Sequence, residues 1–231
     1  MGTRKRRIMV LMTFLTLTLA ITALPSQDVR AASKATKALK AYNRVLKRDS
    51  LKFGGGTETI KKKYMKFATA YIDKDSVPEL VIHNVKKNSG SGYIEDGLVF
   101  TYKGGKVKRA GEINLHVESK IRYYKKKGIL ISYDDAGDGE FGHFTEYMRL
   151  SGGTLSNTGL YKGYDFVQRQ WVSGKMGDPD NDLDQGITYS ESEYLAARNK
   201  LTGNKTPSKF KWHTNTSKHR KKYLKKKKVG K

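Results

Sequence analysis

From residue 34 onward, the apolar residues of the chain follow first a helical and then a strand-like spacing. Within residues 34–48, a set of apolar residues lies at helical spacing: Ala38, Leu39, Tyr42, Val45 and Leu46. With lysines and arginines between them, this spacing predicts an amphipathic helix packed on a core. Residues 54–56 are three glycines that predict a flexible break, and from Tyr64 the alternation becomes that of strands.

Glycine-containing turns divide the middle of the chain. Gly104 and Gly105 lie between residues 98–103 and residues 106–110, and paired glycines accept the positive φ angles of two-residue hairpins. Turns at Gly128 and at Gly152 predict two more hairpins. The predicted strands are residues 65–72, 79–85, 98–103, 106–110, 121–124, 129–133, 144–150 and 154–160. They predict an antiparallel β-meander.

A second helix follows the meander. Ser190 is placed to cap its N-terminus, Glu193 completes a capping box, and Gly203 ends it. The order helix, meander, helix predicts an α+β fold, with an antiparallel, propeller-blade-like sheet between an N-terminal and a C-terminal amphipathic helix.

The first 31 residues have the layout of a signal peptide. Four basic residues, 4–7, precede an apolar run of 17 residues, 8–24. Val29, Arg30 and Ala31 then form a small-spacer-small site, which predicts cleavage between Ala31 and Ala32. The alternative is an uncleaved membrane anchor. A spanning helix needs about 20 apolar residues, with a range of roughly 17 to 25, and the apolar run reaches the lower end of that range.

The absence of cysteine limits how an exported chain is held together and attached. With no cysteine there is no disulfide and no lipid-anchored lipoprotein. The predicted location is secreted or extracytoplasmic, with association to the cell wall, and the lysine-rich composition favours a Gram-positive envelope.

Charge divides the exported chain in two. The whole chain carries +24, the chain from Ala32 onward +20, and residues 32–203 only +8. Residues 204–231 hold twelve lysines and arginines and no acid. The sequence therefore predicts a signal peptide (1–31), an α+β domain (32–203) that folds by itself, and a basic tail (204–231) that stays solvated unless a polyanion is present.

The basic tail also carries Phe210, Trp212 and Tyr223. Cations with aromatic rings suit nucleic acid, and cations alone suit teichoic acid or an anionic membrane face. The predicted polyanion-binding residues are Lys218, Arg220, Lys221, Lys222, Lys225, Lys226, Lys227 and Lys228. The alternative is a disordered, solubilising tail.

Residues 67–82 run from a strand through Asp73, Lys74 and Asp75 into Glu79 and Leu80. This segment resembles the calcium loop of FG-GAP and VCBS-type repeats. Together with the Tyr-Lys-Gly-Gly-Lys-Val hairpin at 102–107, it is similar to small uncharacterised exported proteins of anaerobic Gram-positive bacteria that carry one such degenerate segment. The resemblance implies no particular activity.

Alternate acids on a tight loop suit calcium, which takes six to eight oxygen ligands. Asp73 and Asp75 fit the first two positions and Glu79 adds a third carboxylate, but Val77 and Pro78 replace the usual acid and glycine. The sequence therefore predicts either a weak calcium site at these three acids or a plain acidic turn, and no other cofactor.

Two further acidic clusters lie at residues 134–140, followed by His143, and at residues 178–184. The first is interpreted as a turn between strands, with metal binding or proton transfer as the alternative. The second is interpreted as a solvated loop, with weak calcium binding as the alternative. The five histidines have no metal-ligand spacing, and there is no cysteine nucleophile, Gly-x-Ser-x-Gly elbow, His-Glu-x-x-His pair or phosphate loop.

These observations favour an exported, non-enzymatic binding or structural module of the cell envelope or its surroundings, attached to anionic polymers through the basic tail. The alternatives are an extracellular hydrolase that uses carboxylates of the acidic loops, and a secreted nucleic-acid-binding protein.

Overall fold

The protein is described here by a computed structural model, which covers seven stretches of the chain. They are residues 27–53, 58–85, 95–115, 120–134, 141–165, 170–175 and 187–225. The basic and apolar regions of the predicted signal peptide, and the three glycines at 54–56, lie outside the described residues.

Three α-helices lie in the described part of the chain: α1 (Gln27–Leu46), α2 (Glu191–Thr202) and α3 (Ser217–Tyr223). A 3₁₀ turn spans Lys62–Tyr64. Helix α1 confirms the helix predicted near the N-terminus, and it also extends across the predicted cleavage site at Ala31. Among the described helices, none combines the length and the apolar character needed to cross a membrane.

Most of the remaining described residues lie in strands. Their bounds are β1 Ser50–Phe53, β2 Glu58–Lys61, β3 Met65–Ala70, β4 Glu79–Asn84, β5 Glu95–Lys103, β6 Lys106–Leu115, β7 Lys120–Tyr124, β8 Ile129–Asp134, β9 Phe141–Ser151, β10 Thr154–Asp165, β11 Gln170–Lys175, β12 Ile187–Thr188, β13 Ser208–Lys209 and β14 His213–Thr214. All eight predicted strands are present, and all the pairings are antiparallel, which confirms the α+β class and the meander.

The strands form two main sheets and one small hairpin. A five-stranded sheet has the order β14-β3-β4-β5-β6, and a seven-stranded sheet has the order β12-β11-β10-β9-β8-β7-β13. Strands β1 and β2 pair with each other. The meander therefore passes from the first sheet to the second after β6.

Side chains alternate between two apolar layers in both sheets, as the two-residue period of a strand requires. In β4, Leu80 and Ile82 face α1, whereas Val81 faces the other sheet. In β8, Leu130 faces the five-stranded sheet, whereas Ile129 faces α2. The protein thus has four layers, in the order α1, five-stranded sheet, seven-stranded sheet, α2.

Helix α2 begins and ends at the residues that the sequence predicted. Ser190 Oγ accepts from the Glu193 N–H, and the Glu193 side chain accepts from the Ser190 N–H, which completes the capping box. Gly203 adopts φ 66°, a left-handed conformation that glycine takes without steric cost, and its N–H donates to the Asn199 carbonyl.

The chain after Gly203 is part of both sheets, although the sequence analysis predicted a solvated tail. Strand β13 pairs with β7 at the edge of the seven-stranded sheet, and β14 pairs with β3 at the edge of the five-stranded sheet. Phe210 is buried between the sheets and Leu224 is buried against α1 and its neighbours. The boundary at Gly203 is therefore one of composition, and residues 204–225 are packed into the fold. We call them the C-terminal segment.

Candidate functional site

The turn between β3 and β4, residues 71–78, and the first residue of β4 bring together the three acids that the sequence singled out. Asp73, Asp75 and Glu79 each place a carboxylate oxygen within 4.8 Å of the others. Asp75 is exposed, Asp73 is half-buried and Glu79 is fully buried. This acidic triad therefore opens to solvent at Asp75 and closes on the core at Glu79.

Local hydrogen bonds set the shape of the turn. Asp73 Oδ1 accepts from the Asp75 N–H at 2.9 Å, and Asp75 Oδ1 accepts from the Val77 N–H at 2.7 Å. Such bonds from an aspartate to the backbone two residues on are typical of Asx turns. They hold the carboxylates of the two aspartates close to the backbone of the turn.

Contacts from other elements hold the turn in place. The Lys126 and Gly128 N–H groups donate to the Tyr71 and Ile72 carbonyls, at 3.0 and 2.8 Å. Gly128 has φ 71°, and a Cβ there would lie 2.6 Å from the Leu150 carbonyl oxygen, so only glycine fits. From the opposite side, the Tyr42 hydroxyl of α1 donates to the Pro78 carbonyl at 2.9 Å.

Glu79 is the member of the triad whose carboxyl group is most strongly affected by burial. Its Oε2 accepts from the Ile72 N–H at 2.9 Å, while its Oε1 has no hydrogen-bond partner among the described atoms. Burial raises the pKa of Glu79 to about 8, with smaller contributions from the charges of Asp73 and Asp75, although the bond from Ile72 acts in the opposite direction. Glu79 is therefore mostly protonated at neutral pH.

The triad supplies only part of a calcium coordination shell. Three carboxylates fall short of six to eight oxygens unless water and backbone oxygens supply the others. Lys74, Lys127 and Arg149 line the same groove, of about 330 Å³, and oppose a cation electrostatically. Because ligands must be deprotonated, an ion would also have to displace the proton of Glu79. These features favour weak binding.

Calcium is expected to add little to the stability of the protein. At millimolar calcium and a millimolar dissociation constant, ligand linkage contributes about 0.4 kcal/mol, or about 1 °C in Tm for a domain of this size. Thermal melts at pH 7 in chelator and in millimolar calcium measure this difference. A rise of many degrees that disappears in Asp73→Ala would contradict the expectation and establish a strong site.

The two other acidic clusters fall largely outside the described part of the chain. Residues 135–140 and 178–184 lie outside the described residues. Asp134 ends β8 and His143 lies in β9, but only their backbone is described. Metal binding at these clusters, and the hydrolase reading that depends on them, stay predictions.

The C-terminal segment displays its lysines and buries its arginine. Its exposed cations are Lys205, Lys209, Lys211, Lys218, Lys221, Lys222 and Lys225. Arg220 is only 8% exposed and donates to the backbone carbonyl and the Oδ1 of Asn215, at 3.2 and 2.7 Å. Arg220 therefore has hydrogen-bond partners within the fold, and its assignment to polyanion binding stays a prediction. Lys226, Lys227 and Lys228 lie outside the described residues.

A second groove lies where the C-terminal segment crosses from one sheet to the other. It has a volume of about 440 Å³ and receives side chains from β4, β7, β13 and the residues after β13. We call it the junction groove. Its lining residues are His83, Lys120, Ile121, Arg122, Lys209, Phe210 and Trp212. Among these described lining residues three are cationic and none is acidic.

Aromatic rings form the floor of the junction groove. The Trp212 ring contacts His83 and Phe210, with centroid distances of 5.4 and 5.3 Å, and Phe210 packs on Tyr123 at 4.6 Å. Phe210 is buried and Trp212 is half-buried, so Trp212 presents the more accessible ring. The guanidinium of Arg122 lies over the Tyr133 ring at 5.2 Å.

Sequence reasoning found the aromatic residues of this groove but not its other members. His83 and Lys120 lie far from residue 212 in the chain, and neither belongs to a recognisable motif. The sequence also gave no sign of a second cluster of rings. The His213 ring stacks on the Tyr223 ring with a centroid distance of 3.4 Å, and the His219 and His213 ring centroids lie 6.1 Å apart. The alternation of Lys209, Phe210, Lys211 and Trp212 was the one local signal.

Comparison with known proteins finds no match for this chain. No protein-family model matches the chain, and no curated protein or solved structure matches it either. The features of this chain that bear on its function are the acidic triad, the exposed lysines and the junction groove.

Proposed function

We propose that the protein is an exported, non-enzymatic binding module that attaches to anionic polymers of the cell envelope through its C-terminal segment. The observation that carries this proposal is the display of seven exposed lysines on a segment that is itself held in both sheets. Export rests on the leader-like first 31 residues, and the polymer on the charge.

A fixed framework favours binding in a way that a disordered tail does not. Ordering a segment on binding costs conformational entropy, whereas strand pairing and the burial of Phe210 and Leu224 have already ordered this one. Helix α3 carries Lys218, Lys221 and Lys222 around one short helix. Their like charges repel one another, and an anionic polymer relieves that repulsion.

Neutralising exposed lysines tests this function without removing buried residues. Changing Lys218, Lys221, Lys222 and Lys225 to glutamine should weaken binding to purified cell walls and lower the slope of log affinity against log salt by about 3, since each neutralised anion contributes about 0.7 to 0.9. The matched control neutralises Lys106, Lys108, Lys125 and Lys200, which are exposed elsewhere. Binding isotherms between 50 and 300 mM salt measure both, on the chain expressed with its own leader.

Two further comparisons identify the polymer. Walls stripped of teichoic acid and double-stranded DNA are added to the same series, because a wall polymer and a nucleic acid are both polyanions. Loss of binding on stripped walls supports the envelope assignment. Equal binding by the two lysine variants, or an isotherm that does not change with salt, would refute the proposed function.

A further inference from the structure

Strand alternation divides the cations and the rings of the junction groove between two faces of the seven-stranded sheet. Ile121 of β7 and Phe210 after β13 face the layer between the two sheets, and Trp212 packs against the same layer. Arg122 follows Ile121 in β7 and therefore faces the α2 side of the sheet. Lys209 lies directly opposite Arg122 in the register of β13 and β7, so these two cations share a face that the rings do not reach.

A second arginine reaches this face from α2. Arg198 lies four residues from Tyr194 and four residues from Thr202, and both of these residues are buried. Because residues at this spacing lie on one side of a helix, Arg198 belongs to the stripe of α2 that faces the sheet. Arg198 is half-buried, and its guanidinium donates to the side chain of its neighbour Asn199 at 3.3 Å.

The two arginines approach each other at the ring of Tyr133 in β8. The Arg122 guanidinium lies over this ring, 5.2 Å from its centroid. Burial raises the pKa of Tyr133, and the positive charges of Arg122 and Arg198 act in the opposite direction, so both guanidinium groups lie near the phenol. We call Arg122, Arg198, Lys209 and Tyr133 the arginine patch. Lys120 lies on the same face, opposite Tyr133, but it already has another partner and is not part of the patch.

The arginine patch has positive charge without a matching acid. Within the described part of the chain, no carboxylate forms an ion pair with Arg122, Arg198 or Lys209. Both arginines are half-buried, and removing a charge from water costs free energy unless a partner offsets it. Like charges at directly opposed positions of an antiparallel pair, here Lys209 and Arg122, are also destabilising. Such local conflicts are typical of functional sites, and an anion between these groups would resolve both.

We propose that the arginine patch binds a phosphate monoester, whose three terminal oxygens are shared by the guanidinium groups of Arg122 and Arg198 and the ammonium group of Lys209. A guanidinium presents two parallel N–H donors that match two oxygens of a carboxylate or a phosphate. One such pair of donors is enough for a carboxylate or a phosphodiester, because each has two free oxygens and one negative charge. The third oxygen and the second charge of a monoester match the second guanidinium and the ammonium group.

The arginine patch and the lysines of α3 lie on opposite sides of the protein. Leu224, which follows α3, is buried in the apolar layer of α1, whereas the arginine patch lies on the outer face of the seven-stranded sheet beside α2. The inference therefore goes beyond the proposed polymer binding and does not depend on it. A strand of nucleic acid would need a groove that follows successive phosphates, with open rings for its bases. The patch has one half-buried ring, which favours a single phosphate group.

Calorimetry with small anions at constant ionic strength tests the patch without the contribution of a long polymer. On the chain expressed with its own leader, glycerol 3-phosphate should bind with one-to-one stoichiometry. It should bind at least about tenfold more tightly than dimethyl phosphate or glutarate, because a single hydrogen bond to a charged group contributes a factor of this size. Dimethyl phosphate is a diester with two free oxygens, and glutarate carries two charges on separate carboxylates.

Variants that conserve charge separate guanidinium geometry from positive charge. Arg122→Lys with Arg198→Lys keeps the net charge but removes both pairs of parallel donors, so it should weaken glycerol 3-phosphate binding at least about tenfold. The matched control, Arg44→Lys with Arg48→Lys, changes two arginines that are exposed elsewhere and should leave the affinity unchanged. Circular dichroism and thermal melts verify that both variants fold.

Nuclear magnetic resonance observes the site in the unmodified chain. The side-chain Nε–H signals of Arg122 and Arg198, assigned by their absence from the lysine variants, should shift when glycerol 3-phosphate is added. Dimethyl phosphate at the same concentration should shift them less. This measurement does not depend on the stability of any variant.

Several outcomes would overturn the inference. One is equal affinity for glycerol 3-phosphate, dimethyl phosphate and glutarate, because the patch would then not select a monoester. Another is the absence of binding at millimolar glycerol 3-phosphate, and a third is binding that leaves the signals of Arg122 and Arg198 unchanged.

The glutamine variant of the α3 lysines and Lys225 distinguishes this inference from the proposed function. If it loses cell-wall binding but keeps glycerol 3-phosphate binding, both proposals are supported. If it loses both ligands, the phosphate site lies at the α3 lysines and the inference alone is overturned. If it binds cell walls as its matched control does while the arginine signals still shift, the proposed function fails and the inference stands.

Discussion

A chain that ends at Gly203 is expected to lose its cooperative fold, whereas a chain that ends at Lys225 should be as stable as the full chain. The shorter chain lacks β13, β14 and α3, and with them the buried side chains of Phe210 and Leu224. Burial of each such side chain stabilises a protein by about 1.5 to 3 kcal/mol. The two together approach the low end of total domain stability, about 5 to 15 kcal/mol.

Polar contacts add to this loss. The Asn215 side chain donates to the Leu46 carbonyl at 2.9 Å, at the end of α1, where helix carbonyls otherwise lack a partner. Arg220 in turn donates to the Asn215 carbonyl and side chain, and so holds Asn215 in place. Truncation at Gly203 also leaves β3 and β7 as unpaired sheet edges, which favour aggregation.

Urea and thermal unfolding of the two truncated chains and the full chain measure this effect. We expect a broad or absent transition for the chain that ends at Gly203, and coincident midpoints for the other two. The chain that ends at Lys225 is the control, because it keeps every described contact while losing four of the twelve cations of residues 204–231. Identical midpoints and m-values for all three chains would contradict the packing of the C-terminal segment. If the chain that ends at Gly203 no longer binds the polymer, the cause can therefore be the loss of the fold and not the loss of positive charge.

The C-terminal segment shows why charge content alone misled the sequence analysis. Residues 204–231 hold twelve cations and no acid, which is typical of a solvated tail, yet the buried residues Phe210, Asn215 and Leu224 are spaced among these cations. Arg220 and Leu224 are four residues apart and lie on one face of a helix turn. Lysine stems can cover apolar surface while their ammonium groups stay in water, so a lysine-rich segment can still pack.

The two candidate sites differ in how far the sequence could predict them. The acidic triad lies within seven residues, and a turn of that length brings alternate acids together by local geometry alone. The junction groove joins residues 83, 120 and 212, and their proximity depends on the order of strands in two sheets. Periodicity predicts the strands but not which edges the last two short strands will join, because strands of two residues carry no periodic signal.

Glu79→Gln is expected to stabilise the protein at pH 8 and to change its stability little at pH 5. The carboxyl of Glu79 is fully buried, and its pKa is raised from about 4.5 to about 8 by burial first and by Asp73 and Asp75 second. Glutamine has nearly the same shape as the protonated acid. Its amide oxygen can accept from the Ile72 N–H, and its amide N–H groups can face the two aspartates.

The sign of the pH dependence follows from proton linkage. Below pH 4.5 the Glu79 carboxyl is protonated in both the folded and the unfolded chain, so its raised pKa does not change how the free energy of unfolding depends on pH. Between pH 4.5 and pH 8 the unfolded chain loses this proton while the folded chain keeps it, so the free energy of unfolding falls as pH rises. The fall is at most about 1.4 kcal/mol per pH unit. From pH 5 to pH 8 the wild type loses up to about 4 kcal/mol that Glu79→Gln retains.

Unfolding in chelator at pH 5, 6.5 and 8 measures the difference between Glu79→Gln and the wild type, so that the other titrating groups cancel. We expect the difference to grow with pH and to reach about 10 °C in Tm at pH 8, given about 2 to 4 °C per kcal/mol for a domain of this size. Glu191→Gln is the matched control, because Glu191 is exposed and pairs with Lys162 at the surface. A difference that stays constant from pH 5 to pH 8 would show that Glu79 ionises normally, and hence that the β3–β4 turn admits water to the carboxyl or holds a cation beside it.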